Sequence, residues 1–370
     1  MEKEMDKVDN EASVLIDAGK RYLLARPCGG FNDCLVQLDA ARRHAERFGR
    51  TLIIDTSRSG LKAGFETLFV TRPNFGCPVI MWSREVGVAL DTLKSVRPAE
   101  LTHRITSYQT TYDDETCLHR DTQTKALTSV DLERDHPETL IVQERAGGGI
   151  ESLRFLRRVS LRSEVATEVA ARLSTLGRDY DAIHIRHSDY RTDFEGFLQR
   201  ISPIFAGRKL LVCTDSAEVK ETAPRLLGKR VEVISIAEPP DTKGQPLHDT
   251  ELADRHAANL DLLTEIIAMA RARNFFFTQL DRTHPRWKFS GFAKLVVAIR
   301  AAPDTLDILF TNCDMPSFQN LHSRKKIIGE QNKGTDMIRR SLSLIQLQWW
   351  NRKAFRETRK IRRRVAKEFL

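Results

Sequence analysis

Between Asp181 and Tyr190 the chain reads DAIHIRHSDY, a short apolar run that ends in His184, Arg186, His187, Ser188 and Asp189. These residue types suit the holding of an anion. A guanidinium is planar, permanently charged and matched to paired phosphate oxygens, and a histidine beside it can donate a further hydrogen bond. Side chains alternate faces along a strand, so His184 and Arg186 point one way and Ile183 and Ile185 the other. The same residues also fit a structural role, with His184 a satisfied interior histidine and Arg186 paired to Asp189 or Asp215. Both roles can hold at once, because a phosphate-binding arginine also needs positioning.

Two more segments end in polar residues of the same kind. CTDS (213 to 216) sets Thr214 and Asp215 at a strand tip, where a carboxylate can accept hydrogen bonds from a base edge or a ribose. Asp215 or Ser216 equally suits the N-cap of the helix beginning SAEVKE. KFSGFAKLVVAIR (288 to 300) puts Ser290 and Gly291 at a helix start, where backbone amides attract a diphosphate and glycine allows close approach. The alternative for Ser290 is an ordinary cap. For a general base, Asp193, Glu195 and His187 follow the first motif, and each is also an ordinary surface residue type. Asp113 and Asp114 resemble a metal pair, but their polar surroundings, with no following strand pattern, fit a solvated turn.

These residues need strands and helices to carry them. RYLLA (21 to 25), a break at PCGGFND, a helix with Leu35, Leu38, Ala41, Ala45 and Phe48 at helical spacing, then Gly49 and TLIID (51 to 55) make one βαβ unit. Its strand-to-helix loop falls at the ligand-binding edge of a parallel sheet. Strands are expected at PVIMW (78 to 82) and TLIVQ (139 to 143), with a long loop over 106 to 125. After 147 to 149 the pattern is regular: helix 163 to 176, strands 182 to 186 and 209 to 215, helix 216 to 227, strand 231 to 236. A helix of about 250 to 272, strand 274 to 279, helix 290 to 302 and strand DILF (307 to 310) complete it. Such alternation specifies a second doubly wound sheet. Two Rossmann-like domains facing a cleft are thus the expected α/β fold.

A chain of 370 residues, 41% hydrophobic and 29% charged, has apolar material for two ordinary domains and is not of disordered or fibrous composition. No apolar run approaches the ~20 residues that cross a bilayer, and MEKEMDKVDNEAS has no signal core, so a cytoplasmic protein is expected. Six scattered cysteines without a CxxC pair indicate neither zinc module nor disulfide scaffold. Residues 339 to 370 hold 11 of the 59 Lys and Arg and 2 of the 50 Asp and Glu, leaving 48 of each elsewhere. The net charge of +9 therefore belongs to the tail. There Ile338, Leu342, Ile345 and Trp349 repeat at helical spacing, and Ile361, Val365 and Phe369 follow among arginines. Residues 338 to 370 accordingly suit an anionic membrane surface, which would make the protein peripheral on the inner membrane; equally, 338 to 350 can pack back on the protein. Nucleic acid is a third partner for such charge, but no reading motif accompanies it.

His184, Arg186 and Asp189, then Thr214 and Asp215, then FSGF from Phe289 to Phe292, together resemble the three motifs of the GDP-fucose-dependent fucosyltransferases. That superfamily holds the α1,6-fucosyltransferases, including the rhizobial nodulation-factor type, and the protein O-fucosyltransferases. The early CGGFNDCL loop and RTLIID extend the resemblance to the rhizobial type, over roughly 20 to 310. It implies a GT-B fold, an inverting mechanism, no metal or other cofactor, GDP-fucose as donor substrate and a glycan or lipid-linked oligosaccharide as acceptor. It makes Arg186 the β-phosphate ligand and His184 its neighbour on GDP, with Asp189 completing that motif. Thr214 and Asp215 face the nucleoside, and Ser290, Gly291 and Phe292 open the phosphate-binding helix. Gly29, Gly30, Phe31 and Asn32 would reach donor or acceptor from the opposite domain. The implied division is 18 to 160 on the acceptor side, 161 to 320 on the donor side and 321 to 370 as basic tail. One departure is that α1,6 members carry a second arginine where this chain has His187, which leaves the linkage open. Outside this resemblance stand a GT-B enzyme with another nucleotide sugar, and a non-catalytic α/β scaffold recruited through the tail.

Overall fold

The computed structural model describes residues 16–61, 63–113, 115, 116, 118–239, 245, 250–280, 288–313 and 352–368. By their contacts they form two units.

The first unit gathers residues up to Pro27, Ala40–Asp55 and Gly76–Ala146. Its sheet joins β1 (Tyr22–Pro27), β2 (Thr51–Ile54), β4 (Val79–Met81), β5 (Val96–Arg97) and β8 (Leu140–Arg145) in the order β4-β2-β1-β8-β5. All its pairings are parallel. One face of the sheet, through Tyr22, Leu24, Ile53, Leu140 and Val142, packs on Val86 and Leu90 of α2 (Arg84–Asp91) and on Leu101, Ile105 and Tyr108. In α1 (Phe31–Phe48) Leu35, Leu38, Ala41 and Ala45 of the expected stripe are completely buried and Phe48 half-buried. The expected loop over 106 to 125 contains instead an antiparallel hairpin, β6 (Thr110–Asp113) and β7 (Leu118–Asp121). Its strands TTYD and LHRD are mostly polar and lie largely outside the core, so no apolar alternation announced them. Asp113 makes the turn there, accepting from Glu115 N at 3.0 Å and Thr116 N at 3.3 Å, while Asp114 lies outside the described residues.

The second unit gathers Cys28–Asp39, Thr56–Phe75 and residues from Gly147 onward. Its small sheet pairs β3 (Phe69–Thr71) with β9 (Val159–Leu161), next to α3 (Ser152–Leu156). Its main sheet has the order β12-β11-β10-β13, built from β10 (Asp181–Ile185), β11 (Lys209–Thr214), β12 (Glu232–Ile234) and β13 (Phe275–Phe277). These strands are all parallel. Helices α5 (Phe194–Phe205) and α6 (Ala217–Leu227) cover the face that carries Ile183 and Ile185. Helices α4 (Ser163–Ser174), α7 (Arg255–Arg271), α8 (Gly291–Ala301) and the C-terminal α10 (Arg352–Glu368) complete the layers. The segment DILF is not a strand but the end of α9 (Asp304–Leu309). Four apolar residues satisfy either period, and Pro303 followed by Asp304 opens a helix.

Chain order reverses between β10 and β13, because β11 and β12 extend one side of β10 and β13 returns on the other. In an open α/β sheet the crevice beyond the strand ends at such a reversal is where ligands bind. DAIHIR runs into that position. No helix among the described residues is long and apolar enough to cross a membrane.

Candidate functional site

Arg186 is the first residue past β10, and its side chain remains 23% exposed. Its Nε donates to Asp189 Oδ1 at 2.8 Å and its Nη2 to Asp189 Oδ2 at 2.6 Å, a two-point grip. Asp215 stands 3.8 Å from Nε, and the guanidinium lies over the Tyr190 ring at 5.1 Å. Burial disfavours the arginine's charge, but Asp189 and then Asp215 outweigh it and raise the pKa. Burial likewise pushes Asp189 up, and the bonds and charge of Arg186 prevail to hold its carboxyl below the ordinary range. Nη1 donates to no described residue, so one edge of the fork is left for a ligand.

Asp215 does not cap α6. Ser216 does, accepting from Val219 N at 3.4 Å, while Asp215 accepts from His187 N and from Ser188 Oγ, each at 2.7 Å. The carboxylate thus ties the loop after β10 to the end of β11 and fixes Asp189 in reach of Arg186. Thr214 is 7% exposed, and its Oγ1 accepts from Ser216 N at 3.2 Å.

His184 shares the face of Arg186, as strand alternation requires. It is 7% exposed, with its ring 5.1 Å from that of Phe292 on α8. Burial drives its pKa down to about 4, Asp215 opposing and Arg186 adding to the shift, so it is neutral at ordinary pH. No described residue hydrogen-bonds its ring.

Ser290 occupies the N-cap position of α8, yet its side chain accepts no cap bond. At 4% exposure its Oγ has no hydrogen-bond partner among the described residues. Water cannot easily satisfy a hydroxyl this buried, and an unpaired one costs about 1–3 kcal/mol. Beside it, a Cβ on Gly291 would come 3.3 Å from Asn32 Nδ2. Asn32 cannot yield readily, since Nδ2 donates to Gly149 O at 3.0 Å and Oδ1 accepts from Ser152 Oγ at 2.7 Å.

The loop Gly29 to Asn32 therefore clusters by its contacts with the unit that carries the other motifs. Gly29 has φ +86, a conformation glycine adopts without strain, and a Cβ on Gly148 would come 3.0 Å from Asp33 Cα. Gly30 O accepts from Cys34 N at 3.0 Å and so opens α1. Phe31 is 5% exposed and stacks on Phe69, so it packs in the core. Burial and then the charge of Asp189 raise the Tyr190 pKa, Arg186 opposes, and Asp33 adds to the rise, which places this loop electrically beside the motif.

The three acid–base candidates part company. His187 is 8% exposed, packs on the Phe194 ring, and its Nδ1 accepts from Thr192 N at 3.1 Å. Arg191 Nη1 lies 3.4 Å from its Nε2, so both ring nitrogens face donors. Burial lowers its pKa, with Glu218 opposing. Asp193 caps α5, accepting from Gly196 N at 3.1 Å, and pairs with Arg200 at 3.2 Å. Glu195, in the first turn of α5, is exposed and has no partner among the described residues.

One titratable group escaped the sequence reading. Glu265 of α7 is half-buried, beside Cys213 and within electrostatic reach of Lys220, Asp261 and Asp215. Burial pushes its carboxyl up to about 8, with Lys220 opposing and Asp261 adding. Its signal was present: a lone acid inside LLTEIIAMA, in a helix buried on almost every side. In the first unit, Arg26 bonds Asp55 at 2.7 Å and stacks over Trp82 and Tyr108, while Tyr108 donates to Glu144 at 2.7 Å. All but Trp82 are at most 2% exposed, so this network fixes a sheet edge and presents no free group.

No family model matches the chain, and no curated protein matches it. Among solved structures, a NodZ alpha-1,6-fucosyltransferase co-crystallised with GDP overlaps with a TM-score of 0.48 at 21% identity, covering 75% of this chain and 91% of that one. The fucosyltransferase NodZ from Bradyrhizobium gives 0.47 at 20% identity, over 75% and 92%. POFUT1 in complex with GDP gives 0.43 at 12%, over 76% and 95%. Overlap of this depth assigns the chain neither a reaction nor a ligand.

Proposed function

We propose that the chain is an inverting glycosyltransferase that moves fucose from GDP-fucose to a hydroxyl of a glycan or lipid-linked oligosaccharide, without a metal. The observation that carries this reading is the Arg186 fork. Asp189 grips it on one edge at the reversal point of the sheet, and its other edge has no partner among the described residues. Departure of a nucleoside diphosphate builds negative charge on the phosphate, and fixed donors aimed there lower the barrier.

Around Arg186 stand two carboxylates, Asp189 and Asp215, so one guanidinium is outnumbered. The amides that open α8 supply what is missing, since they add positive potential without needing a counter-ion. Ser290 Oγ, buried and without a partner among the described residues, is the third donor, and neutral His184 is the fourth. By the resemblance Asp215 faces the nucleoside, and Glu265, when deprotonated, can accept from the N1–H and N2–H edge of guanine, which is why this reading favours GDP. The sugar is named by the resemblance of the three motifs.

In the reaction the acceptor oxygen bonds the anomeric carbon as the bond to the phosphate oxygen breaks from the opposite face, and the electrons leave with GDP. Glu195, the exposed carboxylate without a partner among the described residues, takes the hydroxyl proton. A thermal-shift panel of GDP, UDP, ADP and CMP tests the reading. GDP selectively raises Tm, and Arg186→Ala abolishes the rise. Equal responses to all four nucleotides contradict it.

A further inference from the structure

The C-terminal helix α10 has two dissimilar faces. Ala354, Ile361 and Val365 are at most 5% exposed and pack the helix on α8. Two ion pairs pin the end of the helix, Arg364 to Glu151 and Glu368 to Arg154, the second at 3.5 Å. Ile361 and Val365, two residues of the apolar stripe of the tail, are therefore used inside the protein, while Ile338, Leu342, Ile345, Trp349 and Phe369 lie outside the described residues. What remains on the outer face of α10 is charge. From 352 to 368 the sequence holds nine Arg and Lys against Glu357 and Glu368. Lys353, Arg356, Arg359, Arg362, Arg363 and Lys367 are all exposed, and none has an acidic partner among the described residues.

At 100° per residue, Arg356, Arg359, Arg363 and Lys367 fall on the side opposite Ile361, in a stripe about 17 Å long, and Lys353 extends it at the N-terminal end nearer the flank. Carboxylates that could neutralise it are turned away: Glu357 is 25% exposed by side chain, and Glu368 is engaged by Arg154 and Arg364. Phe355, 39% exposed, flanks the stripe, and Trp349 and Trp350 precede the helix in sequence.

From this we infer that the outer face of α10 is a docking surface for an anionic lipid bilayer, which it grips by charge while the helix stays seated on α8. A row of cations on a convex helix meets a plane along its whole length, and Phe355 flanks it as an apolar contact for the lipid interface. Nucleic acid would also draw the charge, but nothing beside the stripe reads a base. The inference stands on α10 alone and does not depend on which nucleotide the protein binds.

Co-sedimentation of the full chain with phosphatidylcholine vesicles, with and without phosphatidylglycerol, is the test. Binding is expected only with phosphatidylglycerol, and salt should release it, because a charge-only contact is screened. Arg356→Glu with Arg359→Glu and Arg363→Glu should weaken binding by about a hundredfold or more. The milder pair Lys353→Gln and Lys367→Gln, at the stripe's ends, should weaken it less, and both variants should keep the wild-type Tm. Salt-resistant binding to pure phosphatidylcholine would overturn the inference, since it requires apolar insertion. So would absence of vesicle binding, or tighter binding to a DNA or RNA oligonucleotide than to vesicles at equal salt.

Discussion

Arg186 and Asp189 meet through two nitrogens and two oxygens, at 2.8 and 2.6 Å, and this grip decides which edge of the guanidinium faces a ligand. Lysine at 186 keeps the charge but has no fork, so it cannot hold Asp189 and a phosphate in fixed directions together. Arg186→Lys should lose a few degrees of Tm and weaken GDP binding by about tenfold or more, as read by calorimetric titration. Arg186→Ala strands Asp189 and Asp215 and costs about 1–3 kcal/mol as well.

Ser290 separates a ligand contact from a structural one. Its Oγ is buried and has no partner among the described residues, so Ser290→Ala should leave the free protein as stable or up to about 1–3 kcal/mol more stable. The same change should weaken GDP several-fold. An ordinary cap would behave oppositely, losing about 1 kcal/mol on substitution without touching the ligand. Chemical denaturation and GDP titration on one sample distinguish the two.

Much of this site is legible in sequence because strand alternation is a strict rule: DAIHIR puts His184 and Arg186 on one face whatever surrounds them. Asp215 was harder. A strand ending TDS fits a cap at either residue, and only the fold shows that Ser216 takes the cap while Asp215 reaches 28 positions back to His187 N. Glu265 was passed over for another reason. Helical periodicity reads a single acid as a solvent face, and α7 has almost none. The 106 to 125 hairpin was missed because its strands bury little, and DILF because four residues cannot distinguish two periods.

Glu265 should make stability fall with pH. Its folded pKa of about 8 lies above the ordinary 4.5, so between those values the folded protein holds a proton that the unfolded chain releases. Stability therefore declines as pH rises through the window and levels off above about 8. Glu265→Gln should flatten that decline, visible as Tm against pH. If the carboxylate accepts the guanine edge, GDP binding releases this proton. Affinity in the wild type then rises with pH up to about 8, by up to about tenfold per unit. A pH-independent affinity contradicts the contact.

Glu195 and Asp193 are two residues apart with opposite roles. Glu195→Gln should leave Tm and GDP affinity unchanged while lowering sugar transfer by about 100-fold or more. Asp193→Ala should cost about 1 kcal/mol through loss of the α5 cap and leave transfer per folded molecule nearly intact. Transfer rates and melting curves on the two variants read both effects.

A crystal structure of the protein soaked with GDP tests the central claim most directly. The account predicts a β-phosphate oxygen within hydrogen-bonding distance of Arg186 Nη1, a second at the amides opening α8 and Ser290 Oγ, and Asp189 still holding the other edge of the fork. GDP bound elsewhere, or Arg186 turned wholly to its carboxylates with the phosphate out of reach, would contradict it.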